Sequence, residues 1–187
     1  SALRLLKIPS PEILLEDYPF QLSGGMRQRV VGAIAMSCYP RLLIADEPTT
    51  ALDATIQAQY MALFKEIQKK TNVAIIYITH DFGVIANMCH RVGVMYAGKI
   101  LETAMTKELF KAPRHPYTIA LINSVPRLDR KDDRLYSIEG QPPSLMNLPP
   151  GCRFSPRCSM AQAVCSEQEP PEVEISDGHS VSCWGMK

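Results

Sequence analysis

Two short apolar runs, Leu42-Leu43-Ile44-Ala45 and Val73 to Thr79, bracket a segment from Asp53 to Lys70 in which Ile56, Tyr60, Leu63, Phe64 and Ile67 recur near three-to-four spacing. Brief continuous apolar runs suit strands covered on both faces, and the spacing between them is that of a helix. Strand, helix and strand in succession favour a parallel sheet, because parallel neighbours need a crossover between them. The expected class is therefore α/β, a parallel sheet wrapped by helices. With 46% hydrophobic residues in 187, the chain can supply one ordinary core and a smaller appendage.

Around this unit the texture varies. Residues 1 to 22 give short helical pieces, Leu3, Leu5, Leu6 and Ile8, then Ile13, Leu14 and Leu15, broken by Pro9, Pro11 and Pro19. Ser23-Gly24-Gly25 begins a longer helix with Val30, Val31, Ile34 and Ala35 as its apolar stripe, ended by Tyr39-Pro40. Val92 to Tyr96 and Lys99 to Glu102 form a hairpin around Ala97-Gly98. Two short helices, Thr106 to Lys111 and Pro116 to Ser124, precede a charged linker, Arg127 to Arg134, and a module boundary is expected near residue 130. Beyond it Pro142, Pro143, Pro149, Pro150, Pro156, Pro170 and Pro171 leave little room for regular structure, so the tail needs a covalent or metal staple. The chain opens on Ser1 with no Met, directly in helix-like sequence, and an upstream portion is expected outside it.

Lys and Arg number 20 against 19 Asp and Glu, a formal net charge of +1, so no global field draws the chain to nucleic acid or anionic lipid. No apolar run is long enough to span a bilayer. Cys38 and Cys89 stand alone in apolar segments and are expected to be small core residues. Cys152, Cys158, Cys165 and Cys183 crowd the last 36 positions and need another explanation.

Three constellations carry chemistry. Ser23-Gly24-Gly25 at a helix start exposes backbone N–H groups, with the helix dipole behind them, to a phosphate; it is equally a simple helix cap. Asp46-Glu47 closes a strand where open parallel sheets place ligands, so one carboxylate can hold Mg²⁺ through water and the other can take a proton from an attacking water; an acidic turn helped by Pro48 is the plain alternative. His80, at the exit of the second strand and followed by Asp81, can reach the same sheet edge, or can be a surface or capping histidine.

In their order, with Asp53 between the second and the third, these features resemble the ABC-type ATPases, a branch of the P-loop NTPases, over residues 1 to about 105. The resemblance implies that Leu22 to Met26 is the family's signature sequence and Leu42 to Asp46 its magnesium-binding strand. By the same resemblance Glu47 is the general base, Ala51-Leu52-Asp53 the dimer-contact loop and His80 the switch histidine. Met26 departs from the glutamine of many relatives, which leaves the serine and backbone contacts unaltered. No Gly-x-x-x-x-Gly-Lys-Ser/Thr occurs in the chain, so the loop that cradles β- and γ-phosphates is absent from it. In the family ATP sits between two subunits. The resemblance therefore implies a partial P-loop fold that donates Ser23, Gly24 and Gly25 to a partner's nucleotide and has almost no turnover alone.

The tail narrows the family. His115-Pro116-Tyr117-Thr118, Gly140-Gln141-Pro142-Pro143, and the run from Pro149 to Cys158 resemble the C-terminal extension of oligopeptide and dipeptide importer ATPases, with nickel importers close by. Residues 106–130 are then a helical connector and 131–187 a Cys- and Pro-rich extension. The cysteine spacing, C-x₅-C-x₆-C-x₁₇-C, is wider than in common zinc modules. In a reducing compartment four such thiols favour metal over disulfides, with spacing alone unable to choose the metal. The resemblance implies a four-iron cluster on Cys152, Cys158, Cys165 and Cys183, with zinc, or unmetallated thiols or disulfides, as alternatives. His179 is a conceivable substitute ligand or, more simply, a surface histidine.

What the resemblance implies in full is an ATP- and Mg²⁺-dependent hydrolase powering peptide import. It would sit peripherally on the cytoplasmic face of the plasma membrane, paired with a second ATPase subunit, beneath membrane-spanning permease subunits and indirectly served by an extracytoplasmic peptide-binding protein. A soluble ABC ATPase of nucleic-acid processing is the rival. Its relatives usually insert coiled-coil or basic segments, and none occurs here.

Overall fold

The computed structural model describes residues 2–50, 52–125 and 136–186. They form two compact units, Ser1–Met88 and Cys89–Lys187. Ala51 and the whole of the charged linker expected from Arg127 to Arg134, with the module boundary expected near residue 130, fall among residues 51 and 126–135, outside the described residues.

In the first unit, α1 (Ala2–Leu5) and α2 (Pro11–Leu14) are followed by a 3-10 turn at Pro19–Gln21. Pro11 opens α2 and does not break it, because the first helical position has no N–H bond to lose. Then come α3 (Gly24–Met36), β1 (Leu42–Asp46), α4 (Ala54–Thr71), β2 (Ala74–Ile78) and α5 (Phe82–Met88). β1 and β2 pair in parallel with α4 as the crossover, in a register that sets Leu42 beside Ala74 and Asp46 beside Ile78. The apolar face of α4 buries Tyr60, Leu63, Phe64 and Ile67, as its spacing predicts. Each such side chain contributes roughly 1.5–3 kcal/mol when fully withdrawn from water. Asn72, left-handed at φ 55°, ends the helix as a C-cap.

Three expectations are corrected here. α3 turns Gly32, Ala33 and Met36 inward, while Val31 and Ile34 are 59% and 67% exposed. The reason is close approach: a Cβ on Gly32 would lie 3.2 Å from Leu6 Cδ1 and 3.4 Å from the Tyr60 hydroxyl, which itself donates to the Gln28 carbonyl. Size, not hydropathy, selects that face. The strands are covered on one side, by Leu43 and Ala45 of β1, whereas Leu42, Ile44, Ile76 and Ile78 form an open apolar face. Cys38 is exposed, past the end of α3, and not a core residue, while Cys89 is half-buried.

The second unit is built on an antiparallel sheet. Its elements are β3 (Arg91–Tyr96), β4 (Lys99–Met105), α6 (Thr106–Lys111), α7 (Pro116–Ser124), α8 (Ala163–Glu167), β5 (Val173–Ser176) and β6 (His179–Val181), with spatial order β3-β4-β6-β5. The two-residue turn Ala97-Gly98 has φ of 46° and 81°, the backbone of the primed hairpin turns that match strand twist. Against the expectation of a tail with little regular structure, residues 173–181 supply two strands. β6 pairs with β4 at Glu102↔Val181 and Thr103↔Ser180. Prolines at 170 and 171 precede these strands and so remove no ladder bond from them.

Candidate functional site

Glu47 directly follows β1 and His80 follows β2 by two positions, so the parallel register brings both to one edge. The Glu47 N–H donates to the Ile78 carbonyl at 2.9 Å, extending the ladder by one bond, and Glu47 then turns left-handed at φ 44°. That conformation is uncommon for a residue with a side chain, and such strain gathers at functional sites. It is held from both sides: Thr50 Oγ1 donates to Glu47 Oε2 at 2.7 Å, and His80 Nδ1 lies 2.8 Å from Oε1. The Thr50 hydroxyl first, and the His80 ring second, keep the Glu47 carboxyl below its ordinary range, so it is ionised at neutral pH. Facing a carboxylate, His80 Nδ1 carries the proton. The His80 side chain is 80% exposed, and Asp46 beside Glu47 is also exposed.

The remaining residues singled out in the first unit occupy helix starts. Ser23 caps α3, its Oγ accepting the Met26 N–H at 3.3 Å. Gly24 and Gly25 follow, and a Cβ on Gly25 would meet Ile56 at 2.9 Å, so the glycine lets α3 and α4 approach. Asp53 Oδ1 accepts the N–H groups of Thr55 and Ile56 at 3.0 and 2.9 Å and caps α4. Replacing Asp53 by Ala is expected to cost about 1 kcal/mol, read as a lower urea midpoint by far-ultraviolet circular dichroism. An unchanged midpoint would contradict the cap.

Thr50 was not legible as a partner of Glu47, since a threonine three positions on is commonplace until the turn closes. The bond of Gln57 Nε2 to Asp81 Oδ2, 2.8 Å, likewise ties α4 to the strand exit after His80 without a local signal.

The tail cysteines meet in the second unit. Cys152, Cys158, Cys165 and Cys183 all line one cavity of about 120 Å³, together with His115 and Trp184. All four are free thiols. Burial pushes the thiols of Cys152, Cys158 and Cys183 up, and neighbouring cysteines add to it. Backbone N–H groups pull the other way, those of Phe154 and Ser155 at Cys152, Met160 at Cys158 and Gly185 at Cys183. At Cys165 the Gln162 N–H donates to Sγ at 3.4 Å. The Cys152 N–H donates to the Cys165 carbonyl at 2.8 Å, an approach only glycine permits at 151, where a Cβ would lie 2.3 Å from that oxygen. No group of three or more His, Cys, Asp or Glu among the described residues is placed to hold a metal ion.

His179 is neither a ligand candidate nor a surface residue. It is 1% exposed, and its Nε2 lies 2.8 Å from Oε1 of Glu102, which is fully buried in β4. The same carboxyl accepts the N–H groups of Arg114 at 2.8 Å and His115 at 2.9 Å, just ahead of α7. His115 caps α7 through Nδ1, which accepts the Tyr117 N–H at 3.0 Å, and burial holds its pKa down to about 4. Glu102 gave no sign of this in the sequence, because its partners lie up to 77 positions away.

Residues 1–50 match the family described as "ABC transporter", and residues 101–165 match "Oligopeptide/dipeptide transporter, C-terminal region". Among curated relatives, the dipeptide transport ATP-binding protein DppD of Bacillus subtilis is 54% identical over 98% of this chain and 55% of its own length. The oligopeptide transport ATP-binding protein OppD of the same species is 52% identical over 97% of the chain and 51% of its own length. OppD of Escherichia coli is 49% identical over 96% and 53%. The chain thus spans about half the length of the curated relatives it matches. A solved dimeric ATP-binding cassette bound to ADP and Pi superposes on 56% of the chain and 44% of its own, at 28% identity and a TM-score of 0.49. Matched by both family descriptions, and about half identical to such relatives along nearly all of its residues, the chain is similar to the ATP-binding subunits of ABC transporters, in their oligopeptide and dipeptide branch.

Proposed function

We propose that this chain provides part of the ATP-hydrolysing site of a peptide importer. The observation that carries the reading is the contact of His80 with Glu47 across 33 positions at one end of a parallel strand pair. Bound ATP and Mg²⁺ supply the transferable phosphoryl group and the neutralisation of its charge. Asp46, exposed at the end of β1, holds the Mg²⁺. Glu47 orients the attacking water and accepts its proton, aimed by Thr50 and His80. With Nδ1 engaged by Glu47, the exposed His80 ring would offer Nε2 to the γ-phosphate of a bound nucleotide. Ser23, Gly24 and Gly25 meet the nucleotide of a second ATPase subunit with N–H groups at the start of α3. Asp53 keeps the loop after Glu47 in place by capping α4. Phosphoryl transfer depends on positioning and charge stabilisation, and the chain contains no phosphate loop. Taken alone, it turns over almost no ATP.

The names of the relatives, dipeptide and oligopeptide transport ATP-binding proteins, support peptides as cargo; the reading adds membrane-spanning permease subunits as partners and a peripheral position on the cytoplasmic face of the membrane. No helix among the described residues is long and apolar enough to cross a membrane.

The four tail cysteines hold an iron–sulfur cluster of the four-iron type. Such a cluster takes one thiolate at each iron, so its ligands surround a cavity and do not converge on a single ion. Four free thiols around one cavity, with a backbone N–H directed at each, are a donor set that fits it. The cluster supplies a rigid cross-link and a redox couple to a proline-rich segment.

The test is reconstitution of the protein, encoded in full, with its permease and partner ATPase in proteoliposomes. ATP-dependent accumulation of labelled peptide is expected. Accumulation of labelled nickel without peptide would transfer the cargo to the metal, and ATPase activity stimulated by nucleic acid but not by the permease would overturn the transporter reading.

A further inference from the structure

The His80 side chain is 80% exposed, so packing does little to aim it at Glu47, and its direction depends on how the chain leaves β2. Asp81 shapes that exit. Its N–H donates to Thr79 Oγ1 at 3.1 Å, and its Oδ1 accepts the N–H groups of Gly83 and Val84 at 2.7 and 3.2 Å, folding the segment into the start of α5. These bonds are local, and they turn with the segment as one piece. A bond from further away joins that piece to α4: Gln57 Nε2 donates to the other carboxylate oxygen, Oδ2, at 2.8 Å across 24 positions. A carboxylate only accepts, so the Gln57 amide presents its NH₂ edge. Burial pushes the Asp81 carboxyl up, but the Gln57 amide, followed by the N–H groups of Val84 and Gly83, outweighs it and holds the group below its ordinary range. The bond is thus charge-assisted, and stronger than one between neutral groups.

Gln57 stands on a firm element. Its neighbour Ile56 abuts α3, where a Cβ on Gly25 would meet it at 2.9 Å, and Tyr60, one turn on, donates to the Gln28 carbonyl at 3.2 Å. The start of α4 is braced against α3 and reaches the strand exit through the Gln57 side chain. We infer that Gln57 is a positioning residue for ATP hydrolysis: through Asp81 it holds the backbone from which His80 meets Glu47. This rests on the ATPase reading proposed above and deepens it by naming a residue that acts through another.

The intact ATPase subunit, with its partner and permease, is compared as parent, Gln57→Ala, His80→Ala and the double variant, by steady-state phosphate release and equilibrium ATP binding. A misplacement of about 1 Å can cost on the order of 10²-fold in rate, and His80 keeps its bond to Glu47 as a second restraint, so Gln57→Ala is expected to lower kcat roughly tenfold. KM and ATP binding should stay close to the parent's. In the His80→Ala background the loss should nearly vanish, because the group that Gln57 positions is already gone. A loss of equal size with and without His80 overturns the inference, since Gln57 would then serve the fold alone. A kcat lowered by His80→Ala but not by Gln57→Ala also overturns it and leaves the ATPase reading standing. A kcat unmoved by His80→Ala removes His80 from the proposed site and takes the inference with it. Should Gln57→Ala misfold, a rescue decides. Gln57→Glu sets two carboxylates against each other and slows turnover. Adding Asp81→Asn keeps an oxygen for the Gly83 and Val84 N–H groups, turns an NH₂ toward position 57 and restores a donor–acceptor pair. Recovery of most of the lost kcat supports the inference, and a pair no faster than Gln57→Glu overturns it.

Discussion

Replacing Glu47 by Gln in the intact ATPase is expected to lower ATP turnover by about 10²–10⁴-fold while nucleotide binding stays near that of the parent. The substitution keeps the shape of the side chain and one oxygen acceptor, and removes the carboxylate that receives the proton of the attacking water. Thr50 and His80 keep Glu47 below its ordinary pKa range, so in the parent it is ionised throughout the neutral range and needs no further activation. A depressed pKa makes it a weak base. That matches phosphoryl transfer, in which the nucleophile's proton moves late and orientation counts for more than basicity. His80→Ala removes one of the two bonds that aim the carboxylate and should therefore slow turnover less than Glu47→Gln. The measurement is steady-state phosphate release beside equilibrium nucleotide binding. Turnover comparable to the parent's in Glu47→Gln would sink the assignment of Glu47.

Replacing Glu102 by Ala is expected to destabilise the second unit by ~3–5 kcal/mol, the usual cost of breaking a buried pair by deleting one partner. Three donors would be stranded in a dry interior: His179 Nε2 and the backbone N–H groups of Arg114 and His115. A loss of this size is a large fraction of the ~5–15 kcal/mol that holds an ordinary domain folded. Trp184, the only tryptophan, lies in this unit, so its fluorescence during urea unfolding reports the effect directly. Glu102→Gln, which retains one acceptor oxygen, should fall between Ala and the parent. A midpoint unmoved by Glu102→Ala would mean that the buried carboxyl is not what ties β4 to α7 and β6.

Sequence periodicity was sufficient for α4, whose three-to-four spacing named the buried Tyr60, Leu63, Phe64 and Ile67. It failed for α3, because the larger residues Val31 and Ile34 outweighed Gly32 and Ala33 in hydropathy, while close approach to Leu6 and Tyr60 required the small ones. The tail was mistaken for irregular chain on account of its prolines. They stand outside β5 and β6, where φ restriction and the missing N–H are harmless. In the candidate ATP site the residue types and their order could be read directly, but the bonds from Thr50 and His80 to Glu47 could not.

By itself the sequence determined what depends on near neighbours: the strand-helix-strand alternation, the capped helix starts at Ser23 and Asp53, the adjacent carboxylates, and the crowding of four cysteines. Only the tertiary structure decided that Asp46 stands beside Ile78, which sets His80 against Glu47, and that β6 lies beside β4, which gives Glu102 its histidine. The physical reason is that a local pattern reports propensity and one-sided burial, whereas a polar side chain's partner is fixed by packing between segments that the chain keeps dozens of residues apart.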